Sequence, residues 1–213
     1  MVVKLLVFGL PGSGKSTIAR HITTYLKDRN WESIHFSDHI ILEEMFLADS
    51  EYKQFKPTDH GGFDVLDFIV FDIALQRLER EINQHLLSAE QEEIVLIEFA
   101  RNDYLRAFQQ FSDTFLQDAY FLHLDVETEI CKKRIRERIA HPSNQDDFFV
   151  SEYIFSTYYE RDNGQDIPRI LEEDYGINKQ KVEVIENNGS LSDSIARINR
   201  FVDTICEPES ISG

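Results

Sequence analysis

The feature that most constrains the fold is the segment GLPGSGKST, residues 9–17, which directly follows an apolar run. Residues 2–8 are apolar apart from one lysine, as expected of a buried parallel strand. Residues 18–26 then place apolar side chains at helical spacing. A glycine-rich turn between a strand and a helix lets consecutive backbone N–H groups point at one anion. The sequence therefore predicts a phosphate-binding loop.

This loop matches the pattern Gly-x-x-x-x-Gly-Lys-Ser in full. In that pattern the lysine reaches the terminal phosphates of a nucleotide, and the serine hydroxyl binds Mg²⁺. We therefore expect ATP and Mg²⁺ as cofactors. The predicted nucleotide-binding residues of the segment are Gly9, Pro11, Gly12, Ser13, Gly14, Lys15, Ser16 and Thr17.

Further apolar segments alternate with helix-like segments along the chain. Four of them have the composition of strands: residues 33–36, 93–99, 119–126 and 181–187. With the first strand they predict an α/β fold in three layers, a five-stranded parallel sheet flanked by helices. The length suits a single domain over residues 1–207, followed by a frayed tail at 208–213. Ligands of such sheets bind at the carboxyl ends of the strands, so candidate residues should gather there.

The charge of the chain limits its partners. Asp and Glu number 39 against 22 Lys and Arg, which gives a formal net charge of −17. Such a surface repels nucleic-acid backbones and anionic membranes, so we expect neither long nucleic acid nor a membrane as partner. Cys131 and Cys206 lack metal-ligand spacing and are typical of reduced thiols in a cytoplasmic protein. A small-molecule or nucleotide acceptor is the expected partner, and the oligomeric state is left open.

The layout of the whole chain resembles the P-loop kinase group, in particular the adenylate kinase-like nucleoside monophosphate kinases. In the segment DVETEICKKRIRERIAHPS, Arg134 and Arg138 fall on an Arg-x-x-x-Arg helix that precedes a His-Pro-Ser stretch. The resemblance implies that Arg134 lies over the adenine and that Arg138 reaches the phosphates. Arginines at this spacing share one helix face. They could instead form a solvated face paired with Glu129 and Glu137.

The same resemblance gives roles to three residues that follow predicted strands. In small-molecule and polynucleotide kinases of this group, an aspartate at the place of Asp38 takes the proton from the acceptor hydroxyl. Asp38 could instead cap the helix that follows it. Glu98 is implied at the metal site together with Ser16, and either carboxylate could act as the base. Arg101, in the stretch EFAR, is implied to contact an acceptor phosphate or the transferred group.

These features lead us to expect an ATP-dependent phosphotransferase that moves the γ-phosphoryl group to a nucleotide, nucleoside or other small molecule. We expect the acceptor side over about residues 39–88 and a short lid over about residues 139–163. The alternative is a regulatory nucleotide-binding ATPase or switch without a phospho-acceptor. The candidate catalytic residues are Lys15, Asp38, Glu98, Arg101 and Arg138.

Overall fold

The structure is a computed structural model and describes residues 1–59, 62–89, 92–140, 150–161, 166–189 and 191–206. The strands in these residues are β1 (Val2–Gly9), β2 (Glu32–Ser37), β3 (Phe55–Pro57), β4 (Phe63–Val65), β5 (Glu93–Phe99), β6 (Ala119–Asp125) and β7 (Val182–Glu186). The α-helices are α1 (Lys15–Lys27), α2 (Asp38–Ala48), α3 (Ile69–Leu86), α4 (Tyr104–Phe108), α5 (Asp113–Gln117), α6 (Thr128–Ala140), α7 (Glu152–Thr157), α8 (Ile167–Tyr175) and α9 (Leu191–Cys206).

The main sheet has five parallel strands in the order β2-β5-β1-β6-β7. The central strand β1 pairs with β5 from Val2↔Glu93 to Phe8↔Phe99, and with β6 on its other side. The predicted α/β fold, with a five-stranded parallel sheet flanked by helices, is confirmed. Because all strands run in one direction, their carboxyl ends meet at a single edge.

Alternation along the strands builds a core on each face of the sheet. On β1, Leu5 and Val7 pack with apolar residues of α1 and α9, whereas Leu6 and Phe8 pack with those of α2 to α6. Burying one such side chain fully stabilises the fold by ~1.5–3 kcal/mol relative to leaving it exposed. The sheet is therefore held on both faces, and its carboxyl edge is a rigid platform for the loops that leave it.

In two segments the local sequence pattern predicts the wrong structure. Residues 49–63 have no periodicity, which predicts an irregular loop, but they include part of the hairpin β3–β4, where Phe55 pairs with Val65. The pattern of residues 102–115 predicts one helix, but they contain α4 and the start of α5, because the side chains of Asp103 and Ser112 each cap a separate helix. Both Asp and Ser are common N-cap residues, so this break had a signal in the sequence.

Other predictions stay untested. Much of the expected lid at about residues 139–163 falls on residues 141–149 and 162–163, which lie outside the described residues. The expected tail at 208–213 lies outside them as well. Among the helices of the described residues, none combines the length and the apolar character needed to cross a membrane.

Candidate active site

The glycine-rich segment forms a compact turn between β1 and α1. The Ser13 N–H donates to the Leu10 carbonyl oxygen at 3.0 Å, which closes the turn. Gly12 has φ +83°, and a Cβ atom there would lie only 2.6 Å from the carbonyl oxygen of Cys131 on α6. A side chain at this position would therefore suffer backbone strain and a clash with rigid backbone. The loop packs directly against α6, and the N-terminus of α1 is a place where backbone N–H groups can hold an anion.

The other loop residues differ in exposure. Pro11 is buried, whereas Thr17 is exposed and accepts a hydrogen bond from Arg20 at 3.4 Å. The Ser13 hydroxyl is buried and, within the described residues, has no hydrogen-bond partner. A buried polar group without a partner costs roughly 1–3 kcal/mol. This orphaned hydroxyl fits a loop that is completed by a polar ligand such as phosphate.

Lys15 is buried at the start of α1, with 7% of its surface exposed. Its ammonium donates to the carbonyl oxygens of Gly9 at 3.1 Å and Leu10 at 3.0 Å. Burial lowers the pKa of Lys15, and the charges of Glu98 and Asp38 oppose that shift. The ammonium and both carboxylates therefore lie near one another at the carboxyl edge of the sheet.

Glu98 ends the apolar run of β5 and is held from two sides. Its Oε1 accepts a hydrogen bond from the Ser16 hydroxyl at 2.8 Å, and its Oε2 lies 3.1 Å from His35 Nε2. Burial raises the pKa of Glu98, but the nearby His35 and the Lys15 charge outweigh it, so the net shift is downward. An ionised carboxylate beside a serine hydroxyl suits Mg²⁺, which binds few protein oxygens and takes its other ligands from water and phosphate. The two predicted metal residues thus come together and fit this ion.

Asp38 and Arg101 form a buried ion pair, with 5% and 2% of their surfaces exposed. Arg101 Nη1 donates to Asp38 Oδ2 and to the Ala100 carbonyl oxygen, and Nη2 donates to the Phe71 carbonyl oxygen at 2.6 Å. Burial raises the pKa of Asp38 against the opposing charge of Arg101. The N-cap of α2 is Ser37, whose hydroxyl accepts from a backbone N–H. The alternative that Asp38 merely caps this helix is therefore wrong.

Arg134 lies across the back of the glycine-rich loop. Its Nη1 donates to the carbonyl oxygens of Gly12 and Ser13 at 3.4 and 3.5 Å. Its Nη2 donates to those of Asn187 and Gly189 at 2.8 and 3.1 Å. The guanidinium therefore ties the loop to the segment that follows β7. Whether it also lies over an adenine ring stays a prediction.

Arg138 is one turn further along α6. Burial is the main cause of the lowered pKa of Lys15, and the charge of Arg138 adds to it, which indicates that the two cations are near each other. Glu129 and Glu137 lie 3.1 and 3.9 Å from neighbouring lysines of α6. These ion pairs weaken the alternative in which Glu129 and Glu137 pair with Arg134 and Arg138.

Comparison with known families shows where the chain belongs. Residues 5–155 match the model of AAA_18, described as an AAA domain, over more than half of the chain. The chain belongs to the AAA domain family. No curated protein matches this AAA domain protein.

Solved structures resemble this AAA domain protein over nearly its whole length. A sugar kinase from Janibacter sp. HTCC2649 has a TM-score of 0.57 at 15% identity, and 95% of each chain is covered. Kti12 from Chaetomium thermophilum in complex with ADP-AlF3 has a TM-score of 0.56 at 13% identity, with 96% of this chain and 100% of that one covered. The APS kinase CysC of Mycobacterium tuberculosis, in complex with AMPPNP and APS, gives 0.56 at 14%, with 94% and 97% covered. At such identities the likeness shows the fold alone, an α/β fold that this chain shares with these proteins.

Sequence reasoning missed two residues of the AAA domain site. Asn187 is buried after β7, donates from Nδ2 to the Ser13 carbonyl oxygen at 2.8 Å, and would lie 2.8 Å from a Cβ at Gly14. Its position at the carboxyl end of a predicted strand was a usable signal. His35 gave no such signal, because a single histidine within a strand does not reveal which carboxylate it will meet. Its partner, Glu98, lies on a strand distant in sequence.

Proposed function

We propose that this protein is a Mg²⁺-ATP-dependent phosphotransferase that moves the γ-phosphoryl group to a hydroxyl of a small molecule. The observation that carries the proposal is the convergence of three residues at one edge of the sheet: Lys15 at the start of α1, Asp38 at the start of α2 and Glu98 on β5. A phosphate-binding loop, an ammonium and two carboxylates are the groups that phosphoryl transfer requires.

The Asp38–Arg101 pair favours a hydroxyl acceptor over a phosphate acceptor. A phosphate acceptor needs cations that point free donors at it. Arg101 directs both of its Nη atoms at Asp38 and at backbone carbonyls, and its Nε is buried. A carboxylate held in place by an arginine is suited to accept a proton, and its raised pKa improves it as a base. In this proposal Arg101 positions Asp38 rather than contacting the transferred group.

Each group of the site has its own role in the proposed reaction. Backbone N–H groups of residues 9–17 and the Lys15 ammonium hold the phosphates, while Ser16 and Glu98 hold the metal. Mg²⁺, when bound, neutralises negative charge on the β- and γ-phosphates. The acceptor oxygen bonds to the γ-phosphorus as the bond to the bridging oxygen of ADP breaks, and the hydroxyl proton passes to Asp38. Catalysis of this kind depends mainly on positioning and electrostatic stabilisation.

Two of the similar proteins, the sugar kinase and the APS kinase, are named as kinases. Kti12 was solved with ADP-AlF3 and the APS kinase with AMPPNP, which supports ATP as the donor. This proposal replaces the narrower expectation of an adenylate kinase-like enzyme, whose acceptor is a nucleotide phosphate. ADP release from Mg²⁺-ATP, measured with sugars, nucleosides, polyols and nucleoside monophosphates, tests it. We expect a hydroxyl acceptor to stimulate ADP release by the wild type. The same acceptor should not stimulate ADP release by Lys15→Ala. Stimulation by monophosphates alone would refute the hydroxyl form, and hydrolysis indifferent to every acceptor would favour a regulatory ATPase.

A further inference from the structure

His35 lies on the edge strand β2, on the side of the sheet that faces α1. The Ser33 hydroxyl, two residues earlier on the same face, donates to Thr23 of α1 at 3.1 Å. In the β2–β5 register, His35 stands opposite Leu96, and Ser37 stands opposite Glu98. The His35 imidazole therefore reaches diagonally toward the carboxyl edge, where its Nε2 lies 3.1 Å from Glu98 Oε2.

The Glu98 carboxylate has a neighbour at each oxygen. The Ser16 hydroxyl of α1 donates to Oε1 at 2.8 Å, and His35 Nε2 lies 3.1 Å from Oε2 without the geometry of a hydrogen bond. Rotation about the last bond of the side chain would carry Oε1 away from Ser16 and Oε2 away from His35. The imidazole attracts Oε2 only through a protonated Nε2, since a carboxylate is purely an acceptor.

We propose that His35 is a positioning residue for the metal site, because it fixes the orientation of Glu98 toward the cation beside Ser16. This inference rests on the proposed function, which makes Ser16 and Glu98 the metal residues. Partners of this outer kind typically change metal affinity by ~10–100-fold when they are removed. Nothing places His35 within reach of the glycine-rich loop, so its loss should spare the contacts that hold the phosphates.

The other glutamate of β5 also lies beside a histidine, and this second pair provides a control. His85 Nε2 lies 2.8 Å from Glu93 Oε2, and Glu93 begins β5 whereas Glu98 lies near its end. The two glutamate side chains are equally exposed, at 11%. A purely structural role for His35 predicts that losing either histidine has the same kind of effect.

The test measures metal binding rather than turnover. Mn²⁺ binding to the protein saturated with ADP is followed by electron paramagnetic resonance for the wild type, His35→Ala, His35→Gln and His85→Ala. ADP binding is measured in excess EDTA by calorimetry. We expect His35→Ala to weaken Mn²⁺ binding by ~10-fold or more, with unchanged metal-free ADP binding. His35→Gln, whose amide can donate to Oε2, should restore most of the affinity, and His85→Ala should match the wild type.

Each outcome has one meaning. Equal Mn²⁺ affinity in the wild type and both His35 variants would overturn the positioning role while leaving the proposed function intact. A wild type that binds ADP without any effect of metal would instead refute the metal site and with it the proposed function. Should His35→Ala fail to fold, His35→Phe takes its place: it keeps the ring volume and lacks the donor, so wild-type Mn²⁺ affinity in that variant also overturns the proposal.

Discussion

Asp38 and Arg101 join the end of β2 to the segment after β5 through an ion pair that is almost completely buried. Arg101 also anchors α3 by donating to the Phe71 carbonyl oxygen, and its guanidinium lies 4.9 Å from the Phe71 ring centre. One arginine thus connects the carboxyl edge of the sheet to the helix that borders the expected acceptor side. The orientation of the proposed base depends on this contact.

Breaking this pair from one side should strongly destabilise the protein. Arg101→Met leaves Asp38 buried without its partner, and such losses typically cost ~3–5 kcal/mol. The double variant Asp38→Asn/Arg101→Met should recover part of that loss, because neither charge is then left alone. Urea denaturation measures both. Arg136→Met is the control: Arg136 pairs with Glu152 at 2.9 Å and both side chains are exposed, so its loss should cost ~1 kcal/mol or less. Equal losses in Arg101→Met and Arg136→Met would contradict the account.

Asp38→Asn should reduce turnover far more than it reduces nucleotide binding. Removal of a general base typically lowers the rate by ~10²–10⁴-fold, while the loop that holds ATP is untouched. Steady-state kinetics with the identified acceptor, together with calorimetric titration of an ATP analogue, separates the two effects. A variant that binds the analogue normally and turns over at the wild-type rate would exclude Asp38 as the base.

Gly12→Ala should disrupt both folding and nucleotide binding. The new methyl group would meet the Cys131 carbonyl oxygen at 2.6 Å in a backbone with φ +83°. Gly176→Ala is the control, since Gly176 also has positive φ, at +65°, but a Cβ there meets nothing within 4 Å. The control should cost only the backbone strain, roughly 1–2 kcal/mol. Thermal denaturation and ATP-analogue titration compare them, and an equal, small effect of both substitutions would show that the loop does not pack against α6.

His123 should make the protein sensitive to mild acid. It lies 5.1 Å from the Phe8 ring on the central strands, and burial lowers its pKa from 6.5 to about 4, against the charge of Asp125. The unfolded chain therefore binds a proton that the folded chain refuses, so stability is fully present above pH 6.5 and falls as the pH drops toward 4. The loss is roughly 3 kcal/mol. Urea denaturation at pH 6.5 and at pH 4 measures the loss of stability between the two pH values. His123→Phe should remove the part of this loss that His123 causes. An unchanged loss in the variant would show that other groups cause it.

Much of the architecture is predictable because its signals are local. The glycine-rich loop is contiguous, and the central strands are continuous apolar runs, so the places of these strands along the chain and the position of Glu98 near a strand end follow from the sequence. The direction of the Arg101 side chain does not follow, because its partners Asp38 and Phe71 lie 63 and 30 residues away. The hairpin β3–β4 is not predictable for a different reason. Its strands have three residues each, which is too short to show an alternation of apolar and polar side chains.

The fate of the γ-phosphoryl group tests the central proposal most directly. The protein is incubated with Mg²⁺ and ATP whose γ-phosphoryl oxygens carry ¹⁸O, in a low-molecular-mass cell extract, and the products are followed by mass spectrometry. We predict a labelled phosphate ester of a small molecule, formed by the wild type and absent with Lys15→Ala. Label found only in inorganic phosphate, at the same rate with and without the extract, would contradict a phosphotransferase.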